Sequence, residues 1–141
     1  MNTYYVDGQF VPADKAVIPV DDLAVIRGVG IFDLMRTNKG KPCFLKEHVE
    51  RLKNSAAEID LKIEWTSEEL EKIILKTLEF NKHIQEANVR VIITGGSSSD
   101  FMTPHTPRLL VLINKLPDMP AVWYEKGVKV ITVLSQRDIP E

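Results

Sequence analysis

Apolar positions along this chain change period twice, from two residues to between three and four and back again, which predicts strands, then helices, then strands. Tyr4-Tyr-Val6 and Gln9-Phe-Val11 flank Asp7-Gly8, and Asp-Gly supplies the positive φ angles of a two-residue turn, so the chain is expected to open with a β-hairpin. Gly30 to Thr37 is apolar and β-prone, Asn38-Lys-Gly-Lys-Pro42 is a turn cluster, and Cys43-Phe-Leu45 reads as a short return strand. Val49, Leu52, Ala56 and Ile59 then fall on one face of a helix from about Lys46 to Glu58. Thr66-Ser-Glu-Glu69 is a capping box that starts a second helix with Leu70, Ile73, Ile74, Thr77 and Leu78 facing the core. Asn88 to Thr94 and Arg108 to Asn114 are β-rich and are joined by the polar segment Gly95 to Pro104. They predict an antiparallel pair whose Gly/Ser loop, 95 to 99, forms a mobile rim near a site.

This succession predicts an α+β (α/β) fold, a mainly antiparallel sheet with two flanking helices. Leu116-Pro-Asp-Met-Pro120 carries two prolines and Gly127 precedes the β-prone run Val128 to Val133. Residues 1–116 therefore read as one small domain, 117–127 as a linker and 128–141 as the first strand of a further domain. At 141 residues the chain is long enough for one domain with a real core and too short for two full ones.

The 18 Lys and Arg against 20 Asp and Glu give a net charge of −2 with no basic stripe, so nucleic acid is not an expected partner. No apolar stretch approaches the roughly 20 residues that cross a bilayer, and no basic-then-apolar signal opens the chain. A cytoplasmic protein is expected. Cys43 is alone, which excludes an internal disulfide, and a metal site is not expected; its expected role is that of a small buried apolar side chain.

Three arginines stand in unusual places. Arg51 lies off the apolar stripe of its helix, where an arginine is ordinarily solvated or salt-bridged. Arg90 stands among apolar neighbours in Val89-Arg-Val-Ile-Ile, and a charge in such a strand needs an anionic partner, either a structural carboxylate or a ligand. Arg27 interrupts Leu23-Ala-Val-Ile26 and precedes Gly28, which suits either a surface bend or a pocket. Phe32 is either core or pocket wall.

Arg27-Gly-Val-Gly-Ile-Phe32-Asp-Leu-Met-Arg36-Thr, followed by Phe44-Leu-Lys-Glu-His-Val-Glu-Arg51-Leu, resembles the class IV (fold type IV) pyridoxal-phosphate enzymes. These include branched-chain aminotransferases, D-amino acid aminotransferases and aminodeoxychorismate lyases. The resemblance covers the whole chain, which looks like the N-terminal domain of a longer enzyme. It implies the cofactor pyridoxal 5'-phosphate, transfer of an amino group between an amino acid and a 2-oxo acid, and a homodimer. Arg51 matches the family's phosphate-binding arginine, where a planar fork suits a dianion. Phe32 matches the aromatic of the Gly-x-Phe-[Asp/Glu] stretch, a substrate-pocket wall, and His48 matches a structural position. Arg90 resembles the arginine of the Tyr-x-Arg motif of branched-chain enzymes, a carboxylate contact, with Asn88 replacing the tyrosine. Arg27 stands where branched-chain enzymes carry an aromatic residue reaching the neighbouring subunit's pocket. The arginine that D-specific enzymes place near Thr94-Gly95-Gly96 is replaced by Gly95. No catalytic residue is expected within the chain, because the family's lysine would fall just after Glu141. A lyase of the aminodeoxychorismate type and a non-catalytic dimerisation or ligand-binding domain are the alternatives.

Overall fold

Asp7 and Gly8 have φ angles of 47° and 92°, as a two-residue hairpin turn requires, and join β1 (Thr3–Val6) to β2 (Gln9–Pro12) in antiparallel register. The computed structural model describes residues 1–134. After a 3₁₀ turn at Ala13–Lys15 comes α1 (Leu23–Ile26), capped by Asp22, whose carboxylate accepts from the Ala24 amide at 2.9 Å. Next is β3 (Gly30–Asn38), turned by Lys39 and Gly40, both at positive φ, into β4 (Lys41–Pro42). The expected return strand Cys43-Phe-Leu45 does not form. Cys43 still donates to the Arg36 carbonyl at 2.9 Å, but Phe44, at φ 51° and ψ 41°, turns the backbone out of the sheet and Leu45 already opens α2.

The two long helices α2 (Leu45–Glu58) and α3 (Ser67–Phe80) follow the predicted periodicity. Val49, Leu52 and Ala56 are buried as expected, whereas Ile59 is 45% exposed because the helix has ended there and its side chain leaves the stripe. The capping box is formed, with the Thr66 hydroxyl accepting from the Glu69 amide at 3.2 Å and the Glu69 carboxylate accepting from the Thr66 amide at 2.8 Å. Strands β5 (Ala87–Thr94) and β6 (Arg108–Lys115) pair along their whole length.

The sheet order is β2-β1-β6-β5-β3-β4. Met35, Val89, Val91, Ile93, Leu109, Val111 and Ile113 share one core with Val49, Leu52, Leu70 and Ile74, so both long helices lie on the same face of the sheet. Alternation sends Phe32, Leu34, Arg36, Asn88, Arg90 and Ile92 to the opposite face. Phe32 is 67% and Leu34 40% exposed there. β4 pairs only with Thr37 and Asn38, and so Gly30 to Met35 forms an open edge of the sheet among the described residues.

Part of the expected linker is helical, as α4 (Ala121–Lys126). Val128 to Val133 forms no strand among the described residues and is exposed, since a strand without a ladder partner has nothing to hold its backbone. The remainder of that expected strand segment, 135–141, lies outside the described residues. No helix among the described residues is long and apolar enough to cross a membrane.

The loop carrying α1 is clipped to the end of β5. Leu23, fully buried, donates its amide to the Gly96 carbonyl at 2.9 Å; Gly95 donates to the Val29 carbonyl at 3.0 Å; and Thr94 Oγ1 donates to Asp22 Oδ2 at 2.8 Å. Gly95, Gly96 and Ser98 are consequently buried, and this stretch is a packed support for α1, in place of the mobile rim expected. Gly96 has φ 73° and a Cβ there would overlap the Thr106 carbonyl. Gly96→Ala is expected to destabilise the fold by about 2 kcal/mol or more, from left-handed backbone strain plus overpacking. Urea unfolding of the two proteins measures it; equal midpoints would contradict the packing described.

Candidate active site

Asp33 lies on the helix-covered face of β3, only 3% exposed. A carboxylate so placed must be paired and hydrogen-bonded, and α2 supplies both partners one turn apart. Arg51 Nε donates to Asp33 Oδ2 at 2.7 Å and Arg51 Nη2 to Oδ1 at 2.6 Å, a bidentate pair. His48 Nδ1 lies 2.8 Å from Oδ1, and since a carboxylate only accepts, the ring's proton sits on Nδ1. Burial pushes the Asp33 carboxyl up, but the hydrogen bonds and charge of Arg51 and His48 outweigh it and hold the group below the usual carboxylate range.

Arg51 itself remains 65% exposed along its side chain. Asp33 occupies the Nε–Nη2 side of the guanidinium, and no hydrogen bond among the described residues uses Nη1. The Nη1–Nη2 end of the fork is therefore free to receive an anion.

Phe32 precedes Asp33 and so points to the opposite face. It is joined there by Arg90, whose guanidinium carbon lies 5.7 Å from the centre of the Phe32 ring. Of the two anionic partners open to Arg90, a structural carboxylate is absent among the described residues: the side chain is exposed on the face of β5 turned away from the two long helices, and packs over an aromatic ring. Ala24, Gly28, Gly30, Ile31 and Ile92 complete, with these two, a groove of about 300 Å³. Asn88 shares the face but stands opposite Arg36 and Asn114, one step beyond the groove. Arg27 caps the C-terminal end of α1, exposed, and does not line the groove. The structure thus brings Phe32 and Arg90 together, sets Asn88 and Arg27 at the margins, and puts Arg51 on the other side of β3. The open edge of β3 is where a ligand could touch both groups.

The sequence pattern described as amino-transferase class IV matches residues 30–141. The chain belongs to the class IV aminotransferases. It is 31% identical over 133 residues to a Methanocaldococcus jannaschii protein carrying the provisional name branched-chain-amino-acid aminotransferase, covering 94% of this chain and 46% of that protein. A D-alanine aminotransferase of Staphylococcus epidermidis is 30% identical over 135 residues, covering 94% of this chain and 48% of its own. The fold also matches that of a solved branched-chain aminotransferase from the thermophilic archaeon Thermoproteus uzoniensis with norvaline, at TM-score 0.74 and 23% identity, covering 82% of this chain and 41% of that one. The chain spans about half the length of the curated relatives it matches.

For this class IV chain, sequence reasoning singled out Arg51 and gave His48 a structural role in packing and hydrogen bonding, but passed over Asp33, the partner of both. Two signals were available. Asp33 alternates in phase with Met35, a core position, and His48 and Arg51 are spaced i, i+3 on α2.

The depressed Asp33 pKa fixes a pH dependence. Its stabilising contribution is present above the unfolded-state pKa of about 3.9 and is lost as pH falls through the lower folded value. Asp33→Asn is expected to lower stability at pH 7 and to show a shallower loss below about pH 4, leaving the acid limb to carboxylates such as Glu69, Glu86 and Asp100, which are also depressed. Urea midpoints at neutral and acid pH decide it, and parallel acid limbs would mean that Asp33 contributes nothing to the acid transition.

Proposed function

We propose that the protein is a pyridoxal-phosphate-dependent aminotransferase that moves an amino group between an amino acid, of the branched-chain or D type, and a 2-oxo acid. The observation that carries this reading is the half-used guanidinium of Arg51 beside the open edge of β3. An arginine fixed by a buried carboxylate, exposed, and with a two-donor end free fits a phosphate dianion. When bound, pyridoxal phosphate supplies the electron sink that lets the substrate's α-proton leave.

The chain's own residues bind and orient. Arg51 holds the phosphate; Phe32 forms the wall of the substrate groove; and Arg90, exposed over that ring, receives a substrate carboxylate. Asn88, in place of the tyrosine of the branched-chain pattern, stands on the same face one step beyond the groove.

We also assign the protein to a cytoplasmic homodimer. Val25, Ile26, Phe32 and Leu34 are 56%, 39%, 67% and 40% exposed, apolar side chains suited to a two-fold contact. Arg27, turned away from its own groove, then reaches the partner's.

The decisive experiment uses the protein at full natural length. Arg51→Ala is expected to release cofactor on gel filtration while the wild type keeps its near-visible absorbance, with secondary structure intact in both. Unchanged retention would make Arg51 structural. Arg90→Leu is expected to cut kcat/KM for dicarboxylic or α-carboxylate-anchored substrates by roughly ten- to a hundredfold, the scale of a lost charge-assisted hydrogen bond, with less effect on apolar amines, which lack a carboxylate. Equal losses in both substrate classes would end the recognition role.

A further inference from the structure

We propose that Asp33, seated by His48, is the positioning residue that aims the anion-binding end of Arg51. The inference rests on the reading of Arg51 as the phosphate holder and concerns how that arginine is made ready.

Arg51 is carried on a helix surface by a long, flexible side chain, and a free arginine there loses rotamer freedom whenever it orders around a ligand. Asp33 removes that freedom beforehand. Its two oxygens take Nε and Nη2 at 2.7 and 2.6 Å, which fixes the guanidinium plane as well as its position. One Nη1 proton and the outer Nη2 proton then project from one edge in that same plane. His48 closes the assembly from the other side: its Nδ1 proton, 2.8 Å from Oδ1, holds the carboxylate whatever Arg51 does.

The opposing expectation is that Asp33 competes with the phosphate by neutralising Arg51. Burial decides between the two. At 3% exposure the Asp33 carboxylate is almost fully desolvated, so drawing Arg51 away would leave a buried charge on one donor. The geometry never asks for that exchange, since a phosphate takes the edge that Asp33 leaves free. Arg51 serves both anions at once.

Pyridoxamine 5'-phosphate and pyridoxamine are suitable probes, because neither forms a bond to lysine and they differ only in the phosphate. Their affinities for the full-length cofactor-free protein are measured by fluorescence titration. Arg51→Ala, Asp33→Asn and His48→Asn are each expected to weaken pyridoxamine phosphate binding, Asp33→Asn by roughly tenfold, the scale of one charge-assisted hydrogen bond, and His48→Asn by less. Pyridoxamine binding should stay unchanged in all three. If Arg51→Ala weakens the phosphorylated probe while Asp33→Asn and His48→Asn leave it unchanged or tighten it, the positioning role is overturned and the competitor view replaces it. Equal loss for both probes makes Asp33 merely structural and also overturns the proposal. An unaffected Arg51→Ala protein instead refutes the phosphate reading itself, and the positioning role with it. Should Asp33→Asn fail to fold, His48→Asn decides: a selective loss of the phosphorylated probe supports the positioning role, and no selective loss overturns it.

Discussion

One buried carboxylate governs the arrangement of this domain's chemistry. Asp33 sits on the core face of β3, where desolvation disfavours its charge, and it stays ionised because α2 delivers a guanidinium and an imidazole one turn apart. The constraint runs both ways. Asp33 needs α2 in register with β3, and α2 gains from Asp33 a fixed direction for Arg51, the side chain that the family resemblance makes most important. Under the role proposed for Arg51, an ion-paired residue of the fold also faces the ligand, which the shape of guanidinium permits: one side can serve the fold while an end remains for an anion.

The second constraint is the edge of β3. Adjacent residues of a strand face opposite ways, so Phe32 and Asp33 divide the candidate chemistry between two faces of the sheet. In a central strand these groups would be separated by neighbouring backbone. Because β4 stops after pairing with Thr37 and Asn38, the edge from Gly30 to Met35 is open and both sets of side chains border it. The clip between α1 and Gly95–Gly96 seats the Arg27 loop at the head of the same edge, using amide and hydroxyl bonds and two glycines that leave no room for a side chain. Among the described residues, this long unpaired edge next to exposed Phe32 and Leu34 is a poor surface to leave in water.

Most of the element order was legible in the sequence, because periodicity and turn chemistry are local. Asp7-Gly8 and the Thr66 to Glu69 box act through neighbouring atoms and appear as expected. What was not legible depends on contacts distant along the chain. The return strand at Cys43 failed because Phe44 adopts a left-handed backbone that its residue type does not announce. The Gly/Ser stretch after β5 looked like a loose rim, yet Leu23, far earlier in the chain, packs it down. Arg90 called for an anionic partner because its strand is apolar, but which face of the strand it takes was not legible, and Ile92 and Asn88 lie with it on the uncovered one. Asp33 escaped notice for a related reason: nothing local says that an acid in a strand is buried, and only the pairing of β3 with α2 shows what satisfies it.

The most direct test of the central claim is a crystal structure of the full-length protein bound to pyridoxamine phosphate, with attention to the two edges of Arg51. The phosphate is expected on the Nη1–Nη2 end while Asp33 keeps Nε and Nη2 and His48 keeps its bond to Oδ1. A phosphate that has drawn Arg51 away from Asp33, or one held elsewhere with the Nη1–Nη2 end still bare, would contradict it.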